Sequence, residues 1–200
     1  MNRVIPVVFL AAVLAGCATT PPAIPITSIK VVLPEANKWT QITNKAEAGQ
    51  YIREWVPEAS TGENTKWIVI EQKFVLGSSV SAESYIKRIF SLARGACSDI
   101  LYNGPEKMYT NGHETYVGRF MCAQQKGKSY GTFTDQRVVA QGKEVYVVTS
   151  ELRLPASTKA GILSFAKDQS NEMKPFLERQ GLSAKFVRSV KICTSATREC

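Results

Sequence analysis

Beyond residue 38 the chain alternates between apolar and polar residues in the manner of β-strands. Strands are predicted at residues 39–43, 50–56 and 66–76, because these segments are rich in β-branched and aromatic residues. Side chains two residues apart in a strand share one face, and the third segment is the longest and most apolar. We expect the core face of that strand to carry Ile68, Ile70, Phe74 and Leu76.

An amphipathic helix and four further strands are predicted next. Apolar residues recur every three or four positions between Ser81, which can cap a helix, and Arg94. An antiparallel meander then spans residues 99–154, and Asn111-Gly112 is its strongest hairpin signal because both residues tolerate positive φ. The predicted strands lie near residues 99–109, 113–124, 129–139 and 143–154.

A second helix and a last strand complete the pattern. The helix is predicted from Ser157 to Gly181 and the strand from Ala184 to Thr194. Runs of strands interrupted by two helices favour the α+β class, in which the helices pack against an antiparallel sheet. The order of elements over residues 38–194 resembles the Mog1/PsbP-like fold, which pairs a central antiparallel sheet with flanking helices.

Residues 1–16 have the layout of a secretory signal peptide. Arg3 supplies a positive start, residues 4–14 are almost wholly apolar, and Ala15-Gly16 are small. The apolar stretch is shorter than the ~20 residues with which a helix spans a bilayer. Residues 1–16 are therefore expected to direct export and to be removed.

The four residues Leu14-Ala15-Gly16-Cys17 resemble the lipobox of bacterial lipoproteins. The resemblance implies cleavage before Cys17, a diacylglycerol on its thiol and an acyl chain such as palmitate on the new amino terminus. Two or three acyl chains anchor a protein stably, whereas one binds only marginally. Ala18 replaces the Asp that commonly retains lipoproteins in the inner membrane, so the resemblance implies an outer-membrane anchor facing the periplasm. The inner membrane is the alternative, and an incidental cysteine after an ordinary signal is the other interpretation.

Residues 17–30 are predicted to be the acylated cysteine and a tether. They carry Pro21, Pro22 and Pro25 and almost no charge, and proline-rich segments extend by about 3.1 Å per residue. A strand here would conflict with the prolines. Residues 31–200 are then expected to form a single periplasmic domain.

The charge balance is basic. Without the signal, 24 basic residues stand against 17 acidic ones, a net charge of +7. Outside the cytoplasm such a protein meets lipid head groups, cell-wall polymers or acidic proteins rather than nucleic acid. A solvated basic surface that aids solubility is the simpler interpretation.

Four cysteines remain after Cys17, and in an oxidising compartment they predict two disulfides. Four cysteines allow three pairings, and we favour Cys97–Cys122 and Cys193–Cys200 because each pair is local. The spacings contain no C-x-x-C, so neither a redox site nor a metal site is indicated. We expect no metal and no cofactor.

Catalytic signals are weak. His113, the single histidine, follows the Asn111-Gly112 turn and is expected to be an exposed turn residue. No hydrolase, metalloprotease or nucleotide-binding motif is present, so no catalytic residue is predicted. Glu54 and Glu58 flank Trp55-Val56-Pro57 and keep an envelope hydrolase open as a less favoured alternative.

Tyr51, Arg53 and Trp55 share one face of a predicted strand and form a candidate binding face. Faces that combine aromatic residues and arginine often mark contacts, although core packing is the alternative. Residues 51–58, followed by Asn64-Thr-Lys-Trp67, also resemble uncharacterised secreted or lipid-anchored envelope proteins of proteobacteria, and that resemblance implies no activity.

The sequence therefore predicts a lipid-anchored envelope protein that binds a partner rather than converting a substrate. A non-enzymatic partner-binding or assembly component is favoured. A domain that binds a ligand or a cell-wall polymer is the alternative.

Overall fold

The computed structural model describes residues 24–35, 37–58, 60, 65–165, 174–196 and 200. Cys17 and the predicted signal peptide lie outside these residues, as does the first half of the predicted tether, residues 17–23. Within the described residues the chain is predominantly antiparallel β-sheet with helices packed on it, which is compatible with the predicted α+β class.

The described elements comprise nine strands and three helices, and their order matches the predicted meander and the helix before it. In chain order they are β1 (Ile26–Lys30), β2 (Trp39–Glu47), β3 (Gln50–Pro57), β4 (Trp67–Val75), α1 (Ala82–Ala96), β5 (Ile100–Thr110), β6 (His113–Cys122), β7 (Tyr130–Gln141), β8 (Glu144–Pro155), α2 (Lys159–Phe165), α3 (Lys174–Ser189) and β9 (Lys191–Thr194).

Seven strands form one antiparallel sheet in the order β2-β3-β4-β8-β7-β6-β5, and β1 pairs with β9 in a separate two-stranded sheet. The predicted β5–β6 hairpin is confirmed, since Asn111 and Gly112 have φ of 49° and 79°. The helix at residue 81 is confirmed as well, because the Ser81 side chain accepts a hydrogen bond from the Ser84 amide.

The two faces of the large sheet are covered by different elements. The helix α1 packs on one face of β5, β6 and β7, where Ile86 and Phe90 meet Tyr116 and Phe120. On the opposite face, α3 crosses β7 and β8 and, with β1 and β9, closes the second core. That core contains Ile26, Ile29, Val69, Val139, Tyr146, Val148, Phe186, Val187, Val190 and Ile192.

The start of the domain differs from the prediction. Residues 26–30, expected to belong to the tether, form β1, and both Ile26 and Ile29 are buried. Its partner strand lies more than 160 residues away, with Ile26 opposite Thr194. No local feature of the sequence indicates a pairing over this distance. The prolines do not prevent the strand, because it begins just after Pro25, at a position where proline is tolerated.

The prediction of where the second helix ends was also wrong. Instead of stopping at Gly181, α3 continues to Ser189, and β9 is limited to Lys191–Thr194. Ser183, Phe186 and Val187 are buried on one side of the helix. Their spacing of three and four residues is helical, and this period outweighs both the single glycine and the alternation that suggested a strand.

Both predicted disulfides are present. Cys97 at the end of α1 is bonded to Cys122 at the end of β6, with their Cα atoms 5.5 Å apart. Cys193 of β9 is bonded to Cys200, with a Cα separation of 5.6 Å. The first bond holds α1 on the sheet at the end of the helix furthest from its Ser81 cap.

Arg137 of β7 is a buried cation, only 1% exposed, that joins α3 to the sheet. Its Nη1 group donates to the carbonyl oxygens of Arg188 and Val190, each at 3.0 Å. Its Nη2 group donates to the hydroxyls of Thr110 and Thr115 in the β5–β6 hairpin. Burial lowers the pKa of Arg137 to about 10, so the guanidinium stays protonated at neutral pH.

Replacing Arg137 should destabilise the domain strongly. In Arg137→Met the carbonyls at the end of α3 and the two threonine hydroxyls lose a buried donor, and we expect a loss of about 2–4 kcal/mol in the free energy of unfolding. Urea denaturation measures this loss. Arg88→Met, on the exposed surface of α1, is the matched control and should change stability by less than about 0.5 kcal/mol. Equal stability of the two variants would contradict this role of Arg137.

Candidate functional site

The two edges of the large sheet are protected to different extents. The edge strand β5 contains Pro105, and its register with β6 shifts between Asn103 and Glu106. Proline, charge and irregular register all hinder the addition of another strand. The opposite edge, β2, is nine residues long and contains no proline. β2 also has a register shift and charged residues, but it lacks the proline, so its edge is the less protected of the two.

β2 pairs with β3 along its whole length, and its outer side faces solvent. Within the described part of the chain no other strand hydrogen-bonds to β2, and seven of its nine residues are exposed. A register shift between Gln41 and Thr43 accompanies Ile42, which is 53% exposed. An apolar side chain thus stands at an open edge, where backbone groups are free to pair with a further strand.

Next to this edge lies a part of the sheet that α1 does not cover. On the α1 side, Ile52 and Glu54 of β3 and Ile68, Ile70 and Gln72 of β4 are half-buried rather than buried. These five residues are called the open half-sheet below. α1 reaches β4 only near its end, where the rings of Tyr85 and Phe74 lie 6.1 Å apart.

The open half-sheet corrects the prediction for β4. Ile68 and Ile70 were expected to face the core, but the buried residues of this strand are Trp67, Val69 and Glu71 on the opposite face. Both faces of β4 carry apolar residues, so the alternation could not tell them apart. The face that is buried is determined by the elements that pack over it, and α3 and β1 lie on the Val69 side.

Glu54 and Glu151 carry the carboxylates of this region. Glu54 pairs with Ile70 in the register of the sheet, and Ile68 pairs with Glu151 of β8. The Glu54 carboxylate accepts a hydrogen bond from the Thr43 hydroxyl at 2.5 Å. Burial raises the pKa of Glu151 despite Arg153, whose Nε lies 3.7 Å from its carboxylate, and the charge of Glu54 raises it further. Two carboxylates therefore share this region in different electrostatic surroundings.

The predicted binding face lies on the other side of β3. Trp55 is half-buried and packs against the core beneath α3, as the core-packing alternative expected. The Tyr51 hydroxyl donates to the buried Glu71 carboxylate at 2.7 Å, and this burial and hydrogen bond raise the pKa of Tyr51. Arg53 lies 4.6 Å from the Tyr51 ring centre and 3.5 Å from Glu71, with 43% of its side chain exposed. Of the three, Arg53 offers the most accessible charged group.

The remaining candidate residues are placed apart from one another. Glu58 lies in the turn that follows the end of β3 and is exposed, whereas Glu54 is half-buried within the strand. His113 is buried, 6% exposed, rather than an exposed turn residue. The Asn111 side chain donates to the Ile192 carbonyl at 2.7 Å, which joins the tip of the hairpin to β9.

A cavity of about 830 Å³ links the β2 edge to the open half-sheet. Its lining includes Lys45 of β2, Ile52 of β3, and Gln72 and Phe74 of β4. The volume lies within the range of ~300–1,000 Å³ that is common for ligand clefts. A site at this edge therefore has backbone groups, apolar surface, two lysines (Lys45 and Lys73) and the Glu47 carboxylate within the same concave region.

Comparison with known proteins suggests no function for the chain. No family model matches the chain, and no curated protein matches it. Among the described residues, no three His, Cys, Asp or Glu side chains are grouped closely enough to hold a metal ion. None of the described helices combines the length and the apolar character needed to cross a membrane.

The buried carboxyl of Glu151 should give the domain a measurable pH dependence. Because its pKa is raised in the folded state, the folded form holds the proton more tightly, and this contribution to stability is lost as pH rises above the ordinary glutamate range of ~4.3. Glu151→Gln should lose less stability than the wild type between pH 4 and pH 7, in urea titrations at each pH. Glu58→Gln, an exposed matched control, should follow the wild type. Parallel profiles for wild type and Glu151→Gln would contradict the raised pKa.

Proposed function

We propose that the chain is a lipid-anchored envelope protein that binds a partner protein by accepting an extended segment of it beside β2. The observation that carries the proposal is the open β2 edge, nine residues without proline and with its outer side in solvent. Strand addition uses main-chain hydrogen bonds for affinity and alternate side chains for specificity. The activity is binding and assembly, not catalysis.

The side chains around β2 support one arrangement of the partner. On the α1 side, Lys45 pairs with Ile52 in the sheet, so an added strand would place alternate side chains next to Lys45 and over the cavity. Ile42 offers an exposed apolar contact at the register shift. A segment with apolar residues in alternate positions and an acidic residue opposite Lys45 fits this edge.

The anchor is the second part of the proposal. Cleavage before Cys17 and acylation of its thiol would leave residues 18–25, with three prolines, between the lipid and β1. At ~3.1 Å per residue this segment would span about 25 Å. We place the domain on the periplasmic side of the outer membrane, with the inner membrane as the alternative.

A domain that binds a ligand or a cell-wall polymer is the second candidate. The cavity of about 830 Å³ beside the β2–β3 hairpin favours it, together with the half-exposed Arg53 stacked on Tyr51. Two results together would support this candidate over the first. The tryptophan fluorescence would change when cell-wall fragments are added, and the protein would form no cross-link at β2.

Photo-cross-linking tests the partner site. A photoreactive residue at Asn44 of β2 should give one product heavier than the protein in cells, whereas the same residue at the exposed Tyr109 of β5 should give none. Ile42→Lys should reduce the Asn44 product several-fold by placing a charge at the edge, and Tyr109→Lys should leave it unchanged. Equal products from both edges would contradict a site on β2. A product with the mass of two copies would show that the molecule bound at β2 is a second copy of the chain and not another protein.

Replacing Cys17 tests the anchor independently of the partner. Cys17→Ser lacks the thiol that would carry the lipid, so we expect the variant to lose palmitate labelling and to leave the membrane fraction. Cys97→Ser combined with Cys122→Ser is the matched control, because it removes two cysteines whose sulfur atoms are joined in a disulfide and cannot carry a lipid. A Cys17→Ser protein that still takes up palmitate and sediments with membranes would overturn the anchor.

A further inference from the structure

A second cavity, separate from the β2 edge, lies between the β5–β6 ladder and α3. The register shift leaves Gly104 and Pro105 outside the ladder, opposite Gly118 of β6. The resulting cavity has a volume of about 210 Å³. It is lined by polar side chains from β5, β6, β7 and α3 and by a few small apolar ones: Asn103, Glu106, Val117, Arg119, Asp135, Ala184, Val187 and Arg188, with Gly104 and Gly118.

The wall formed by β6 and β7 holds an arginine by one side of its guanidinium. Arg119 Nε donates to Asp135 Oδ1 at 2.7 Å, and the Asp135 side chain is only 5% exposed. Asp135 Oδ2 accepts from the Ser183 hydroxyl at 2.6 Å, and Ser183 is itself fully buried. The guanidinium lies 4.6 Å from the centre of the Phe133 ring. These contacts fix its position and its plane.

The outer end of the same guanidinium is free. In the part of the chain that the structure describes, the two Nη groups of Arg119 donate no hydrogen bond. The two terminal groups of an arginine form a fork that fits the two oxygens of a carboxylate. Arg119 is therefore a preset anion contact, because the energetic cost of ordering it is already met by Asp135 and Phe133.

A second ion pair stands on the β5 and α3 sides of the cavity. Arg188 Nη1 and Nη2 lie 3.1 and 2.5 Å from Oε1 and Oε2 of Glu106. Both side chains are about half exposed, and the arginine lowers the pKa of Glu106. The lining thus carries two cations and two anions, with no net charge.

We propose that this cavity binds a small zwitterion, an α-amino acid with a short side chain. Its carboxylate would lie on the Nη groups of Arg119, and its ammonium group would face the carboxylates of Asp135 and Glu106. A neutral lining favours a ligand that carries both charges over a simple anion, which would leave one charge unbalanced in a partly buried space. The volume is below the ~300 Å³ at which ordinary ligand clefts begin, and Val117, Ala184 and Val187 in the lining favour a short apolar side chain on the ligand.

The proposal is independent of strand addition at β2, and NMR on the full domain tests it directly. Hydrogen bonding to the buried Asp135 slows exchange of the Arg119 Nε proton, which makes its signal a probe of the site. Titration with L-alanine should shift this signal in a saturable way at millimolar concentrations. Propionate has the same carboxylate but no ammonium group, and it should bind about three- to tenfold more weakly, the effect of one partly exposed charge pair.

A variant that fills the cavity without altering its charges completes the test. Ala184→Leu adds a side chain on the cavity side of α3, keeps both ion pairs and suits a helix, so it should fold and lose alanine binding at least about tenfold. Gln180→Leu, one turn earlier in α3 and outside the cavity lining, is the matched control and should bind like the wild type. Unchanged binding in folded Ala184→Leu would overturn the site. No shift of the Arg119 signal with alanine, or equal affinity for propionate, would overturn the zwitterion.

Discussion

The position of α3 depends on one buried cation. Arg137 contributes a full positive charge to the interior without a carboxylate partner among the described residues, and burying such a charge is costly unless other dipoles replace water. Here the dipoles are the carbonyls of Arg188 and Val190 at the carboxyl end of α3, where the helix dipole is negative. The threonine hydroxyls complete the set. A helix that ended elsewhere would leave Nη1 of this guanidinium without its two carbonyl acceptors, so the charge favours one placement of α3.

That placement determines what each face of the sheet can do. With α3 across β7 and β8, Ser183 reaches Asp135, and the Ser183 hydroxyl also lies 2.9 Å from that of Ser150. Ser150 in turn accepts from the Trp67 indole at 2.8 Å, so a continuous polar chain runs beneath the helix. Every buried member has a partner, which is the condition under which polar groups specify a core rather than weaken it. Within the described residues the opposite face is covered by α1 over β5, β6 and β7, and no described helix packs over the open half-sheet of β3 and β4.

The sequence predicted well what is local and poorly what is distant. Asn111-Gly112 and the alternation in residues 99–154 indicate the conformation of the segments in which they lie, and the meander could be predicted from them. β1 was missed because its partner β9 lies at the other end of the chain. Ile68 and Ile70 were misassigned because both faces of β4 are apolar and only the covering elements distinguish them. Phe74 and Leu76, predicted on the same face, do pack against the core beneath α1. Glu151 was not predicted as a site residue because its burial arises from tertiary packing, although a carboxylate within the apolar strand β8 is itself a signal.

One irregularity in β5 has two physical effects. The residues between Asn103 and Glu106 break the ladder, and Pro105 removes a backbone donor, so this edge resists pairing with another strand. The same break opens the sheet opposite Gly118, where an added Cβ would come within 2.4 Å of the Phe90 ring, so the backbone there must stay bare. A protected edge and a small cavity therefore arise from one local feature. β2 has a register shift of its own between Gln41 and Thr43, but it contains no proline and so keeps the backbone donor that Pro105 removes from β5. An edge with unpaired backbone groups is an aggregation risk that a bound strand removes. Occupation of β2 by a partner strand, as proposed above, would remove that risk in the working protein.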